Sequence, residues 1–195
     1  MFDPAGPVLG IDPGVSCCGY GAVAGARGHL EARACGVIRT PPTDPLPVRL
    51  ADLERELEAL VRELRPAAMA VERVLFQANV RTAMSVGQAS GLALAVAARA
   101  GVPVTYYSPN EVKLAVAGYG DAAKAQVQEM VARVLGLDAP PRPPDAADAL
   151  ALAVCHAWGG SLREAVASAV SKEERSGAVL GERDGEAERP MWEDA

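Results

Sequence analysis

The chain has 195 residues, half of them apolar, and a formal net charge of -6 at pH 7. This length suffices for one compact domain with a hydrophobic core and a tail. The apolar run from Ala83 to Ala98 is interrupted by polar residues and falls short of the roughly 20 residues that span a bilayer, so no membrane span is expected.

The N-terminus, Met-Phe-Asp-Pro, has neither a basic segment nor an apolar run of the signal-peptide kind, and a cytoplasmic location is expected. Residues 172–195 hold eight acidic and four basic side chains, which leaves the rest of the chain at only -2. A near-neutral domain can still present a basic face, so the net charge neither supports nor excludes DNA as a partner.

Two regions are expected: a folded domain at residues 1–158 and a C-terminal extension at 159–195. From about residue 172 the chain is charged and rich in glycine. Such a segment cannot bury enough apolar surface to offset its ordering entropy, so we expect disorder there.

The sharpest local signal is an apolar strand that ends at Asp12 and runs directly into Pro13 and Gly14. Proline disfavours the helical region for the residue before it, so Asp12 stays extended at the strand end. Gly14 then permits the chain to reverse. Taken alone, Asp12 is either a turn former or a ligand, and aspartate is common in turns.

Three extended segments predict an antiparallel meander: residues 7–12, about 18–25 and about 29–39. Leucines at steps of three and four then predict an amphipathic helix from Leu46 to Leu64. Residues 67–72 form a short apolar run that ends in Glu72, typical of a buried parallel strand. Because strand–helix–strand crossovers are right-handed, this strand is expected beside the first one and parallel to it. Asp12 and Glu72 would then lie where open α/β sheets bind ligands.

The second half of the chain predicts a strand at 102–107 and helices at 79–101, after Ser108, at 121–135 and at 145–156. The helix at 79–101 is apolar on nearly every side, and Gly87 and Gly91 permit close approach to the sheet or to a second subunit. The predicted fold class is α/β, a five-stranded mixed sheet of three antiparallel strands and then two parallel ones, flanked by helices.

The last predicted helix begins with Asp145 and Asp148, three positions apart and hence on one face. Either residue alone is explained by helix capping or by favourable charge in the first turn. Together with Asp12 and Glu72 they make four carboxylates, which repel one another unless a hard divalent cation binds them. Two cations held in this way can clamp the attacking and leaving oxygens of phosphodiester hydrolysis.

No Ser-His-Asp or Cys-His set competes with these acids, since the chain has only His29 and His156. His156 follows Asp148 by about two helical turns and is interpreted as a core or helix-end residue. An alternative is that it hydrogen-bonds to a metal ligand and orients it. The four cysteines, including the adjacent Cys17 and Cys18, lack metal-ligand spacing and are interpreted as reduced, packed thiols.

Several short motifs follow one another in order: Gly10-Ile11-Asp12-Pro13-Gly14, Gly19-Tyr20-Gly21, Glu72 with Asn79, Gly87-Gln88-Ala89, Glu111-Val112-Lys113, Lys124-Ala125-Gln126-Val127 and Asp145 to Ala151. Each is weak alone, but the ordered set resembles the RuvC Holliday-junction resolvases over about residues 8–158. The resemblance implies a ribonuclease H-like fold and a homodimer.

The resemblance also implies that the four acids hold Mg²⁺ or Mn²⁺, two ions per active site. Lys113 and Lys124 stand at positions where the family contacts DNA phosphates or supports transition-state charge; without the resemblance either is an ordinary surface lysine. The implied function is resolution of four-way DNA junctions in recombination and repair by paired symmetric nicks that leave 5′-phosphate ends. The implied partner is a branch-migration complex of the RuvA-RuvB type.

The chain departs from the family pattern in the loop after Glu72. Leu75 stands in the first place of an aromatic pair and Phe76 in the second, and Phe76 is expected to take over stacking on a base. Ala78 and Ser90 stand where basic residues are common, which puts strand affinity in question.

Arg73 and Arg81 flank the same loop and are candidates to restore the positive charge, although each is equally explained as a surface arginine. The departures suggest a second class of function, a catalytically silent junction-binding module. A third class is an ATPase of the actin and sugar-kinase type, since Asp-x-Gly before a glycine-containing strand occurs in their phosphate loops. That fold needs two such domains, and the chain is too short for both.

Overall fold

The computed structural model describes residues 6–26, 28–73 and 80–159, with backbone only at 26 and 80–82. The five strands are β1 (Val8–Asp12), β2 (Cys17–Ala26), β3 (His29–Arg39), β4 (Ala68–Glu72) and β5 (Val104–Tyr107). The helices are α1 (Leu46–Leu64), α2 (Val80–Arg99), α3 (Pro109–Ala117), α4 (Lys124–Val134) and α5 (144–159). No helix in these described ranges combines the length and the apolarity needed to cross a membrane.

The strands form one mixed sheet in the order β3-β2-β1-β4-β5. β1 pairs antiparallel with β2 and parallel with β4, β2 pairs antiparallel with β3, and β4 pairs parallel with β5. The predicted sheet is thus confirmed. In the β1–β4 ladder Ile11 lies opposite Val71, so that Asp12 and Glu72 end neighbouring strands at the same edge.

Alternation along the strands separates two layers of packing. Ile11 and Val71 belong to the core beneath α1 and α2. Ala70 belongs to the opposite core, which α3, α4 and α5 cover. Successive side chains point to opposite faces of a strand, so Asp12 and Glu72 project on the side of α5.

Glycines on β1 and β2 allow α5 to lie directly on the sheet. A Cβ atom at Gly10 would collide with the carbonyl oxygen of Ala149, and one at Gly19 would collide with the carbonyl oxygen of Asp145. Residues 149–155 of α5 are at most 4% exposed, because small side chains let the sheet and the neighbouring helices close around them.

The helix starts near the predicted positions, with one difference. α3 begins with a capping box, in which Ser108 Oγ accepts from the Glu111 N–H and the Glu111 carboxylate accepts from the Ser108 N–H at 2.7 Å. α4 begins at Lys124, three residues later than predicted, since Gln126 Oε1 accepts from the N–H of Ala123 at 2.9 Å. The Tyr119 hydroxyl donates to the same oxygen at 2.7 Å and fixes the link between α3 and α4.

Candidate active site

Three carboxylates converge at the end of β1. One oxygen each of Asp12, Asp145 and Asp148 lies within 4.8 Å of the other two. Glu72, at the end of the neighbouring strand β4, lines one cleft together with Asp12 and Asp148. The structure therefore brings all four predicted acids together on the side of the sheet that α5 covers.

Burial and like charge raise the pKa of Asp12 from its ordinary value of 3.8 to about 8. The largest cause is the loss of hydration on burial, and the charge and hydrogen bond of Glu72 come next. Asp148 and Asp145 add further repulsion. The site without a cation thus favours a protonated Asp12, and the carboxylate needs positive charge beside it to ionise at neutral pH.

This pKa predicts how the stability of the metal-free protein depends on pH. Asp12 titrates near pH 4 in the unfolded chain and near pH 8 in the folded one, so the folded state binds its proton more tightly. Stability contributed by this proton is complete below pH 4 and is lost as the pH rises towards 8. We expect a loss of roughly 2–4 kcal/mol across this window. Urea unfolding in a chelator at pH 5 and pH 8 measures it.

The control for this experiment is Asp12→Asn, which has no proton to lose at this position. Its free energy of unfolding should fall less between pH 5 and pH 8 than that of the wild type, and Mg²⁺ should reduce the wild-type loss. Equal pH dependence in the two proteins would show that the raised pKa of Asp12 is wrong.

Asp145 is contacted by a side chain at the start of β2. Cys17 Sγ donates a hydrogen bond to Asp145 Oδ2 at 3.3 Å. Burial, followed by this hydrogen bond, raises the pKa of the Cys17 thiol, which keeps the thiol protonated as a donor. Asp145 is the second residue of α5 rather than its cap, so the capping explanation does not hold for it. Cys17 therefore does more than pack.

Asp148 is contacted through both of its oxygens by α4. The Lys124 ammonium forms an ion pair with Oδ2, and Gln128 Nε2 donates to Oδ1 at 3.3 Å. Burial lowers the pKa of Lys124, but the hydrogen bond and charge of Asp148 outweigh it and leave this pKa raised. Lys124 is therefore a firmly charged group at the site.

An open cleft of about 370 Å³ lies over these groups. Its lining joins acidic, basic and apolar side chains: Asp12, Glu72, Pro109, Val112, Lys113, Lys124, Val127, Asp148, Ala151 and Leu152. Both predicted lysines thus face the space next to the acids. A cleft with anionic walls and two cationic side chains is suited to a phosphate group that bound cations also contact.

The structure describes only some of the other residues that were predicted to affect DNA binding. Arg73 is exposed directly after Glu72, and its backbone N–H donates to the Tyr107 carbonyl at 2.7 Å. Leu75, Phe76, Ala78 and the side chain of Arg81 lie outside the described residues, as does the extension from residue 160. Ser90 is 4% exposed on α2, so this departure from the family pattern lies in the protein interior.

His156 has the structural role expected from the sequence. Its Nδ1 lies 3.1 Å from the Tyr107 hydroxyl, and the two rings meet edge to face with centroids 6.0 Å apart. None of the four cysteines forms a disulfide within the described residues, but Cys35 is exposed and so does not fit the prediction of packed thiols.

Sequence reasoning missed two residues of the site, Cys17 and Gln128. Gln128 follows Lys124 by four positions, and this helical spacing is a signal that both reach the same group. Nothing in the sequence pairs Cys17 with Asp145, since 128 positions separate them.

A sheet of this order, with acids at the ends of β1 and β4 and at the start of a helix packed across them, defines a nuclease of the ribonuclease H-like fold. A sequence profile described as crossover junction endodeoxyribonuclease RuvC matches residues 8–156. The chain therefore belongs to the RuvC family of crossover junction endodeoxyribonucleases. Nucleases of this family are metal-dependent, in agreement with the acidic cluster.

Relatives match over nearly their full length. Crossover junction endodeoxyribonuclease RuvC of Salinispora arenicola is 55% identical over 171 residues, which cover 87% of this chain and 98% of the relative. That of Thermobifida fusca is 50% identical over 179 residues, covering 91% and 98%. The structure of T. thermophilus RuvC in complex with a Holliday junction substrate superposes with a TM-score of 0.77 at 39% identity, covering 80% of this chain and 96% of that one.

Proposed function

We propose that the chain resolves four-way DNA junctions in homologous recombination and repair by paired symmetric nicks that leave 5′-phosphate ends. The observation that carries this proposal is a cleft lined by Asp12, Glu72 and Asp148, with Asp145 within 4.8 Å of Asp12 and Asp148, in a chain of the RuvC family. The related T. thermophilus protein was solved with a Holliday junction substrate, which supports junction DNA as the ligand here.

The residues at the site fit a pair of Mg²⁺ or Mn²⁺ ions. All four side chains offer carboxylate oxygens, the ligands that hard divalent cations prefer. The repulsion that raises the pKa of Asp12 is the excess negative charge that such ions neutralise. When bound, the ions would supply an activated water and stabilisation of the departing 3′ oxygen.

The chain's own residues orient the reacting groups. Lys113 and Lys124 line the cleft, where their charge can offset the charge that builds up on the scissile phosphate. Cys17 and Gln128 fix the rotamers of Asp145 and Asp148 by hydrogen bonds. These hydrogen bonds hold the two carboxylates in place, so that neither has to be oriented when a cation binds.

We assign strand binding outside the cleft to the residues that follow β4 in the sequence. Arg73 is exposed directly after β4, and together with Arg81 it would contact the DNA backbone. Phe76 would stack on a base, and Leu75 is proposed to contact the DNA as well.

We further propose a homodimer formed through α2. A Cβ atom at Gly87 or Gly91 would meet nothing within 4 Å, and Met84 on the same helix is 60% exposed. An open strip of this kind lets a second helix approach closely, and a two-fold dimer matches a substrate with two equivalent strands. A branch-migration complex of the RuvA-RuvB type as partner, and action in the cytoplasm, belong to the same proposal.

Cleavage of a synthetic four-way junction by the full chain tests this function. With Mg²⁺ or Mn²⁺ we expect one nick in each of two opposite strands, and ligase should seal the products. A linear duplex of the same arm sequence is the control and should stay intact. A chain that binds the junction and leaves it uncut with both metals would instead be the silent binding module.

A further inference from the structure

Both carboxylate oxygens of Asp148 already have a partner from α4 in the metal-free site. Its Oδ2 accepts the ion pair from Lys124, and its Oδ1 accepts the hydrogen bond from Gln128. Both partners come from one face of α4, a single turn apart. The same carboxylate faces Asp12 and Asp145 across less than 5 Å, where a cation ligand is expected.

The ammonium of Lys124 therefore lies beside the crowded acids where positive charge is most needed. A divalent cation bound among these acids would repel the Lys124 ammonium, so the two positive charges compete for the carboxylate of Asp148. The Lys124 side chain is 63% exposed and that of Asp148 only 23%. The lysine is thus the partner that can swing away, and exposed ion pairs are weak enough to be replaced at small cost.

We propose that Lys124 is an internal counter-ion, which occupies Asp148 in the metal-free protein and is displaced into the cleft when a divalent cation binds. This inference rests on the proposed function, since it needs the metal site described there. As a consequence, the Lys124 ammonium becomes available to a DNA phosphate only after the divalent cation has bound. Gln128 is neutral and stays on Oδ1 in both states, so the carboxylate keeps its orientation during the exchange.

Metal binding without DNA tests the competition, because it does not depend on cleavage. We compare the full-length wild type with Lys124→Met and Lys113→Met by calorimetric titration with Mn²⁺. Lys113 is the matched control: it lines the same cleft with the same charge, and no ion pair to it is present among the described residues. Both variants lose one positive charge near the site, so general repulsion affects both.

Lys124→Met should bind Mn²⁺ about two- to fivefold more tightly than Lys113→Met, the range that corresponds to one exposed ion pair. Equal affinities of the two variants would overturn the counter-ion role and leave the proposed function standing. No Mn²⁺ binding by the wild type or by either variant would instead contradict the metal site of the proposed function itself.

A second measurement uses the wild type and needs no substitution. Limited acylation of lysines, read by mass spectrometry, should modify Lys124 more readily after Mg²⁺ is added, because its ammonium has left Asp148. Lys113 in the same sample is the internal reference and should change less. A Lys124 modification rate that Mg²⁺ does not raise relative to that of Lys113 would also overturn the proposal.

Discussion

Asp12→Asn is expected to lower the rate of junction cleavage by at least about a hundredfold while the junction is still bound. Replacing a residue that hydrogen-bonds to a metal ligand lowers metal affinity or activity by about 10- to 100-fold. Replacing the ligand itself should lower the cleavage rate by at least as much. Asparagine keeps the shape of the side chain but removes the charge that a divalent cation requires. Gel-shift binding in Ca²⁺ and single-turnover cleavage in Mg²⁺ measure the two effects separately.

Asp52→Asn is the matched control for this experiment, since it makes the same chemical change on α1, in the other layer of the fold. Among the described residues, Asp52 forms a surface ion pair with Arg55 at 2.8 Å, so its loss should leave cleavage within about twofold of the wild type. If Asp12→Asn kept a tenth or more of the wild-type rate, Asp12 would not be a required ligand.

Gly19→Ala is expected to damage both the stability and the activity of the protein. The added methyl group would overlap the carbonyl oxygen of Asp145, so α5 must move away from the sheet. Overpacking of this kind costs about 1–3 kcal/mol or more. Since Asp145 and Asp148 move with the helix, and displacements of about 1 Å can cost a hundredfold in rate, cleavage should fall by a similar factor.

Gly120→Ala controls for the general effect of replacing glycine. A Cβ atom at Gly120 meets nothing within 4 Å, and the backbone there is not in the left-handed region. Urea unfolding and single-turnover cleavage of both variants should show loss only for Gly19→Ala. Unchanged unfolding and cleavage in Gly19→Ala would mean that the close contact of α5 with β2 is not required.

The sheet could be predicted because its signals are local. Apolar strands, the leucine pattern of α1 and the handedness of crossovers place β4 next to β1, and this alone puts Asp12 and Glu72 at one edge. Asp145 and Asp148 joined this prediction because four carboxylates together suit divalent cations, and the ordered set of motifs supported their place in the site. A helix with two acids in its first turn is ordinary until something shows where that helix packs.

The contacts that the sequence did not reveal join distant segments through small side chains. The thiol of Cys17 reaches Asp145 across 128 positions, and Gly10 and Gly19 matter because of a helix that follows them by more than a hundred residues. The sequence alone does not indicate which residue a glycine or a cysteine will contact in the fold. The start of α4 differs from the prediction for a local reason, since a glutamine side chain rather than a serine or aspartate satisfies its first turn.

The packing of α5 on the sheet also determines when, during its synthesis, the chain can become an active nuclease. Asp145 and Asp148 belong to the last helix of the described fold. The glycines against which this helix packs, Gly10 and Gly19, lie on the first two strands. A nascent chain that has left the ribosome only through α4 carries Asp12 and Glu72 without the other two acids. It has no complete set of ligands, so the ability to cut DNA arises only once translation has passed α5 and the domain has closed around it.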